Sequence, residues 1–323
     1  MRNNSLDATK LLACFSIMIV HVGYYPELAP PYGDLFRVSS RWALPFFFLS
    51  SGYLMGIHKT IDVSKRLNKL VSILFYSSIL YIPIVYRMVG GDLQRLIGKV
   101  ISNDTLHGGT FFHLWFINAL IMGVILTNYM IKNVNYKLSM TFVVIILLGC
   151  WIGDIIKSLD VKLYIFYAFR SLISFSLVYI GYMIASKNLF ITISNKVIIG
   201  TIVGGIILML AEVYMLHIIF NTDMSERQFP IFCIPVCIAI LLLCIKTNLK
   251  ENIISNFGRD YSLGIYLIHP FVLYHVTHNI GGLFESNSLV KLFTAFILSI
   301  LALSIIKKFV PIVYNKLNGI GIK

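Results

Sequence analysis

A basic residue and a histidine share one face of the first apolar segment. Lys10 precedes His21 by 11 residues, a spacing that on an α-helix separates them by roughly 16 Å and about 20° of rotation. Asp7 lies within about 40° of the same stripe. A basic group at one end of a span suits an anionic ligand, and a mid-depth imidazole suits proton transfer near neutral pH. A structural histidine bonded to a neighbouring helix is the alternative.

Four other segments carry polar residues at a comparable depth: Ser51, Arg170, Glu212 and His269. An ionisable group costs about 2.5–3.5 kcal/mol to insert at the centre of a span, so such groups are usually functional. Arg170 and Glu212 could form a structural ion pair; otherwise Glu212 orients the imidazole of His21 and Arg170 holds an anionic group. Ser51 and Gly52 are either functional or small residues at a helix–helix contact.

Hydropathy predicts the elements that carry these residues. Of the 323 residues, 58% are hydrophobic and 13% are charged, which is more apolar surface than a soluble fold of this length can bury. Ten apolar segments suit the roughly 30 Å of hydrocarbon in a bilayer. They are 6–25, 41–57, 70–88, 111–131, 139–156, 163–186, 196–219, 229–246, 261–277 and 289–310. We therefore expect an all-α integral membrane protein with one transmembrane domain over residues 1–323 and no soluble domain.

The formal charge of +13 is asymmetric along the chain. If ten spans alternate, the loops on one side and both termini hold 17 basic and 4 acidic residues, and the rest of the chain holds 10 of each. The positive-inside rule then predicts that both termini are cytoplasmic. This asymmetry accounts for the basic charge without nucleic acid. The five cysteines lie in apolar segments without metal-type spacing, so we expect buried thiols and no metal site.

Four short elements, in order along residues 7–271, match one pattern. The opening "LDATKLLACFSIMIVH" carries Asp7, Lys10 and His21 at an acidic, a basic and a histidine position. The other matches are Arg41, Phe47, Phe48, Ser51 and Gly52 in "RWALPFFFLSSGYLMG", His113, Trp115 and Phe116 in "HLWFINALI", and Ile265, Tyr266, Leu267, His269 and Pro270 in "YSLGIYLIHPFVL". Together these elements resemble the membrane-bound acyltransferase family 3.

The resemblance implies an O-acyltransferase of the bacterial inner membrane. Its members transfer an acyl group, usually acetyl with succinyl as an option, from cytoplasmic acyl-CoA to a hydroxyl of an extracytoplasmic or lipid-linked carbohydrate. Acyl-CoA would be a co-substrate, and we expect no tightly bound cofactor. The family usually has arginine where Lys10 stands, and a lysine lacks the bidentate fork although it still meets a phosphate. Arg2 is the candidate for the family's partner basic residue.

The resemblance and the layout together predict site roles. His21 is expected to be the catalytic base on the acceptor hydroxyl, with Glu212 as its orienting carboxylate; an acyl-histidine intermediate is an open variant. Ser51 or Arg170 would stabilise the oxyanion. The expected donor-binding residues are Asp7, Lys10, Ser51, Gly52 and Arg170. The expected acceptor-side residues are Arg41, His113 and Trp115, and His269 is a further motif residue.

Two functions of other classes stay open from the sequence. A proton-coupled transporter or flippase for a sugar-containing solute would use His21, Arg170 and Glu212 as a relay, and inverted repeats, which the sequence lacks, would support it. A membrane scaffold would leave the polar groups at membrane depth unexplained.

Overall fold

The computed structural model describes residues 2–57, 62–102, 105, 108–276 and 287–321. Within these ranges the chain is helical, without strands. The helices are α1 Asn4–His21, α2 Tyr32–Ser39, α3 Ala43–Gly56, α4 Val63–Met88, α5 Leu93–Val100, α6 Trp115–Asn133, α7 Tyr136–Lys157, α8 Tyr164–Ser186, α9 Asn195–Phe220, α10 Cys233–Lys246, α11 Ile253–Phe271, α12 Ser288–Phe309 and α13 Pro311–Leu317. A 3-10 turn, Phe112–Leu114, leads into α6, and a π-helical turn, Val272–Val276, follows α11.

Each of the ten predicted apolar segments coincides with a helix, namely α1, α3, α4 and α6 to α12. In the described part of the chain, six helices are long and apolar enough to cross a bilayer: α4, α6 with its preceding turn, α7, α8, α9 and α12. The predicted all-helical class is therefore confirmed, and the helices are those of a membrane protein. Ten spans and cytoplasmic termini stay predictions.

Two short helices lie between the predicted spans. α2 begins directly after Pro31, and the side chain of Asp92 caps α5 by accepting from the backbone of Gln94 and Arg95 at 2.8 and 3.1 Å. Hydropathy misses both helices because their apolar residues cover only one face. α2 matters for the site because it carries Arg37.

Glycines bring the central helices into close contact. α3 packs along α8, and α1 packs along α11. A Cβ at Gly52 would collide with the backbone of Val178, and a Cβ at Gly181 would collide with the backbone of α3. Gly258 of α11 lies in the same way against the backbone of Asp7. Small residues at such contacts allow the backbones to approach and gain van der Waals packing. The four helices that carry most of the predicted site residues are therefore direct neighbours.

Candidate active site

A cavity of about 550 Å³ lies beside the first half of α1. Its wall carries four basic side chains: Arg2, Lys10, Lys69 and Arg259. We call it the basic cavity. The buried carboxylate of Asp7 accepts from Arg2 Nε at 2.7 Å and from Lys10 Nζ at 3.3 Å. Asp7 therefore fixes two of the four cations in place, which fits a positioning role for Asp7 and an anion-facing role for Lys10.

Two other predicted donor-side residues take different places. Ser51 lines the basic cavity, whereas Gly52 faces the backbone of Val178 in α8. The structure thus gives Gly52 a packing role, the second of its two interpretations. Tyr314, also in the cavity wall, donates its hydroxyl to the carbonyl of Asp260. Burial and the Asp260 charge raise the pKa of Tyr314 to about 12, so the hydroxyl stays protonated and keeps this bond at neutral pH.

Two aromatic rings separate the basic cavity from a group of histidines. Phe116 and Tyr266 both line the cavity, with ring centroids 5.2 Å apart. We call this pair the aromatic layer. The Tyr266 hydroxyl donates to the carbonyl of His113, and the Tyr266 ring centroid lies 5.9 Å from that of His269. The layer is therefore in direct contact with both the cavity and the histidines.

Three histidines from three different helices or turns meet behind the aromatic layer. The ring centroid of His269 lies 5.2 Å from that of His21 and 5.5 Å from that of His113. His269 Nδ1 contacts the carbonyl of Tyr266 at 2.8 Å, and His113 Nε2 contacts the carbonyl of Leu267 at 3.1 Å. A carbonyl only accepts, so these nitrogens carry the hydrogens in the neutral rings. The other nitrogen of each ring has no partner among the described residues and can accept a proton.

The histidine cluster does not have the geometry of a metal site. Among the residues that the structure describes, no group of three His, Cys, Asp or Glu side chains could hold an ion. The five cysteines are all free and buried, as expected for small apolar side chains.

On the far side of the histidines lies a pocket of about 270 Å³. His21 lines it together with three arginines, Arg37, Arg41 and Arg170; we call it the arginine pocket. Trp115 completes one wall, with the guanidinium carbon of Arg170 3.9 Å from its ring centroid. This contact is a cation–π interaction. His21 therefore faces a strongly cationic space.

A larger cleft of about 1170 Å³ shares Trp115 and Arg170 with the arginine pocket. Its wall is rich in aromatic side chains: Phe112, Trp115, Tyr164, Tyr167 and Tyr274. We call it the aromatic cleft. Tyr274 donates its hydroxyl to the carbonyl of His21 at 3.0 Å, and the Phe112 ring centroid lies 5.4 Å from the His21 ring. The cleft and the arginine pocket thus meet around His21.

The predicted acceptor-side residues divide between these places. Arg41 and Trp115 line the arginine pocket, and Trp115 also lines the aromatic cleft. His113 is buried in the histidine cluster instead. His269, which the sequence left without a role, lies between His21 and His113. It therefore links the two.

Glu212 and Arg170 do not form the ion pair that the sequence left open, and Glu212 does not contact His21. Glu212 accepts from Arg227 Nη2 at 2.9 Å and from Trp151 Nε1 at 2.8 Å, whereas Arg170 stacks on Trp115. The described ring neighbours of His21 are His269 and Phe112. Hydropathy gives the depth of a residue but not the rotation of its helix. The sequence therefore could not say whether two charges at a similar depth face each other. The structure places Glu212 away from the position that would orient His21.

Glu212 belongs to a buried cluster that sequence reasoning missed. Arg227, with no exposed side chain, also donates through Nε to Asp154 at 2.9 Å. Asp154 accepts from the backbone of Gln228 and Phe229 at 2.8 and 3.0 Å. We call Asp154, Glu212 and Arg227 the acid–arginine cluster. It fixes the segment between α9 and α10, which forms one wall of the arginine pocket. Asp154, an acid inside a predicted span, was the available signal.

The curated proteins that the chain resembles include an amino-acid racemase and a serine/alanine racemase. An amino-acid racemase from Enterococcus faecalis is 26% identical over 312 residues, which are 87% of this chain and 42% of that protein. A serine/alanine racemase from Enterococcus gallinarum is 25% identical over 149 residues, 42% of this chain and 21% of that protein. The chain spans less than half the length of these relatives. No solved structure matches the chain.

A family model covers all parts of the candidate site. The model, described as an acyltransferase domain, matches residues 3–308. That range includes the basic cavity residue Lys10, the histidine cluster and all three arginines of the arginine pocket. The chain belongs to the acyltransferase 3 family.

Proposed function

We propose that this chain transfers an acyl group from acyl-CoA, bound at the basic cavity, to a hydroxyl of an acceptor bound at the arginine pocket. One observation carries the proposal: a continuous line of contacts joins the two spaces. It runs from the basic cavity through Tyr266 and His269 to His21 in the wall of the arginine pocket. A membrane acyltransferase needs such a line, because its two substrates meet inside the bundle.

The basic cavity suits the donor. Acyl-CoA carries its phosphates at one end and its thioester at the other, joined by a long flexible arm. Lys10, Lys69 and Arg259 supply point charges and a guanidinium for the phosphates. Ser51, in the same wall, supplies a hydroxyl that can donate to the oxyanion near the thioester. The thioester would then reach the aromatic layer.

The acyl transfer balances with His21 as general base. The imidazole takes the proton of the acceptor hydroxyl while the oxygen attacks the thioester carbonyl. The tetrahedral intermediate then collapses, the carbon–sulfur bond breaks, and the thiolate takes the proton from the imidazolium to give free CoA. His269 and His113, each with one ring nitrogen unpartnered among the described residues, would relay that proton. An acyl-histidine formed on His21 is the variant route.

The acceptor is a hydroxyl compound on the side of the aromatic cleft, with a carbohydrate as the first class. Flat aromatic walls suit the apolar faces of a sugar ring, and the cleft has six such side chains, Phe111 among them. The name of one relative, a serine/alanine racemase, supports a second class: amino acids with a side-chain hydroxyl. Acetyl is the first acyl group to try, since it is the smallest to pass the aromatic layer.

The proposal predicts that His21→Ala abolishes acceptor-stimulated release of CoA. The assay uses protein in nanodiscs, labelled acetyl-CoA or another acyl-CoA, and a panel of sugars together with serine. Loss of a general base lowers turnover by about 10²–10⁴-fold, so release falls to the acceptor-independent background. Label bound to the protein without acceptor, and absent in His21→Ala, would favour the acyl-histidine route.

Two outcomes contradict this assignment. Release that survives in His21→Ala keeps the enzyme and removes His21 from its mechanism. No release from the wild type with any donor, alongside solute flux driven by a pH gradient, would replace the enzyme with a transporter. Exposed Arg95, which pairs with Asp92 on α5, gives the matched control Arg95→Gln, for which wild-type release is expected.

A further inference from the structure

The three arginines of the arginine pocket are half-buried, and each keeps a buried donor free. In Arg37, Arg41 and Arg170 alike, Nε is buried without a partner among the described residues. Arg37 meets Asp34 only through Nη1, at 3.6 Å. Arg41 donates Nη2 to the carbonyl of Ser225 at 3.4 Å. These are long contacts that leave most of the hydrogen-bonding capacity of each guanidinium unused.

The acids near the pocket are bound to other cations. Glu226 lines the pocket, but Lys157 binds its Oε2. Asp154 and Glu212 both bind Arg227. In the part of the chain that the structure describes, neither Arg41 nor Arg170 has a carboxylate in contact; their contacts are a carbonyl and an indole ring. The pocket therefore carries a surplus of positive charge.

The chain itself shows how a structural arginine is accommodated. Arg227, with no exposed side chain, is bound by the carboxylates of Asp154 and Glu212 at 2.9 Å each. Burying a cation without such a partner is costly. Three cations gathered around one pocket, of which only Arg37 has an acid in contact among the described residues, are therefore expected where a ligand supplies the negative charge. A guanidinium is suited to this because its fork pairs with the two oxygens of a carboxylate or phosphate.

We infer that the arginine pocket is an oxyanion subsite, so that the acceptor carries a carboxylate or phosphate group close to the hydroxyl that is acylated. The inference rests on the proposed function, since it assigns the substrate class of the same site. Its geometric basis is that His21 and the three arginines line one pocket of about 270 Å³. Drug-sized ligands occupy about 300–1,000 Å³. The pocket therefore holds the charged end, and the aromatic cleft holds the rest.

The test compares matched acceptors by direct binding. Trp115 stacks under Arg170 and lines the pocket, so tryptophan fluorescence of the nanodisc protein reports binding without any acyl donor. The probes are glucuronate for a carboxylate, glucose 1-phosphate for a phosphate, and glucose as the neutral match. We expect at least one anionic sugar to bind about 10- to 100-fold more tightly than glucose. The preferred anion distinguishes a carboxylate from a phosphate acceptor.

Variants assign this preference to the pocket. Arg41→Gln should reduce the affinity for the anionic sugar to that for glucose, and Arg37→Gln serves if the first variant does not fold. Lys10→Gln in the basic cavity and Arg95→Gln on α5 should keep the preference. Equal affinities of all three probes in the wild type, or a preference that survives in the pocket variants, would overturn the subsite.

The subsite and the proposed function can fail separately. Anionic sugars that bind through Arg41, with no CoA release from any acyl donor, would refute the acyltransferase and leave the subsite in place. Acylation of neutral sugars at a rate unaffected by Arg41→Gln would refute the subsite and leave the enzyme.

Discussion

The charged side chains inside this protein are of two kinds. Some bind charged groups of the protein, and others have donors without a partner among the described residues. The members of the acid–arginine cluster bind one another, although Nη1 of Arg227 has no partner among the described residues. Arg227 satisfies two carboxylates, and these in turn accept from the backbone of the segment between α9 and α10. The same segment supplies the carbonyl of Ser225 to Arg41. The cluster therefore positions the pocket wall without touching the reacting atoms.

Replacing Arg227 with methionine should strongly destabilise the fold. Asp154 and Glu212 would remain buried without a counter-charge, and breaking a buried pair in this way costs about 3–5 kcal/mol. The midpoint of thermal unfolding in detergent measures the loss. Arg95→Gln is the control, because an exposed pair contributes about 0–1 kcal/mol. Equal midpoints for Arg227→Met and the wild type would show that the cluster is not a stabilising element.

Sequence spacing orders residues along one helix but does not say which residues of different helices meet. The spacing of Lys10 and His21 predicts two functional levels on α1, and the structure has a cavity at each. The sequence left open whether Arg170 pairs with Glu212, and the structure gives them different partners, because their relative rotation depends on tertiary packing. Arg227 escaped notice because it lies outside the apolar segments. Arg37 escaped because the stretch before the second span carries no apolar run.

At the level of helices, the contact between α3 and α8 depends on glycine. The backbone of each helix occupies the space where the other would place a Cβ, at Gly52 and at Gly181. Without this contact, Ser51 and Arg170 could not keep their places relative to the aromatic layer. The small-residue pattern around Gly52 is visible in the sequence, but its partner helix is not, since hydropathy does not say which helices are neighbours.

Gly52→Ala should lower the midpoint of thermal unfolding and reduce the folded yield. The added methyl group meets the backbone of Val178, which cannot move aside as a flexible side chain can, so α3 and α8 must separate. The matched control is Gly200→Ala in α9, where an added Cβ has no neighbour within 4 Å. The control should be neutral or stabilising by up to about 1 kcal/mol. Equal behaviour of the two variants would contradict the close approach.

For the whole molecule, the orientation of the helices in the membrane stays a prediction. Both ends of the described chain border the basic cavity, through Arg2 and Ile320. The charge asymmetry predicts that this end is cytoplasmic. The ten segments were predicted from hydropathy because apolar runs are long and separated by charged loops. Hydropathy does not say which end of the bundle faces the cytoplasm. Among the sequence features, the charge of the loops is the one that predicts it.

Cysteine labelling in intact cells tests this orientation across α8. Lys162 and Lys187 are exposed at its two ends, and the native cysteines are buried, so background labelling should be low. An impermeant maleimide should label Lys162→Cys in intact cells and Lys187→Cys only after permeabilisation. The opposite pattern would reverse the orientation, and labelling of both from outside would contradict a span at α8.

The aromatic layer also has an electrical consequence. Cavities that admit water from both sides confine the transmembrane voltage to the thin barrier between them, here Phe116, Tyr266 and the histidine cluster, instead of the full bilayer of about 30 Å. Each elementary charge that crosses 100 mV gains or loses about 2.3 kcal/mol. In the proposed transfer, the acceptor proton enters at His21 and leaves on the departing thiolate at the basic cavity. The charge that the attacking oxygen donates reaches the same thiolate as the proton does, so no net charge crosses the barrier, and an energised membrane would therefore leave the equilibrium of the acyl transfer unchanged.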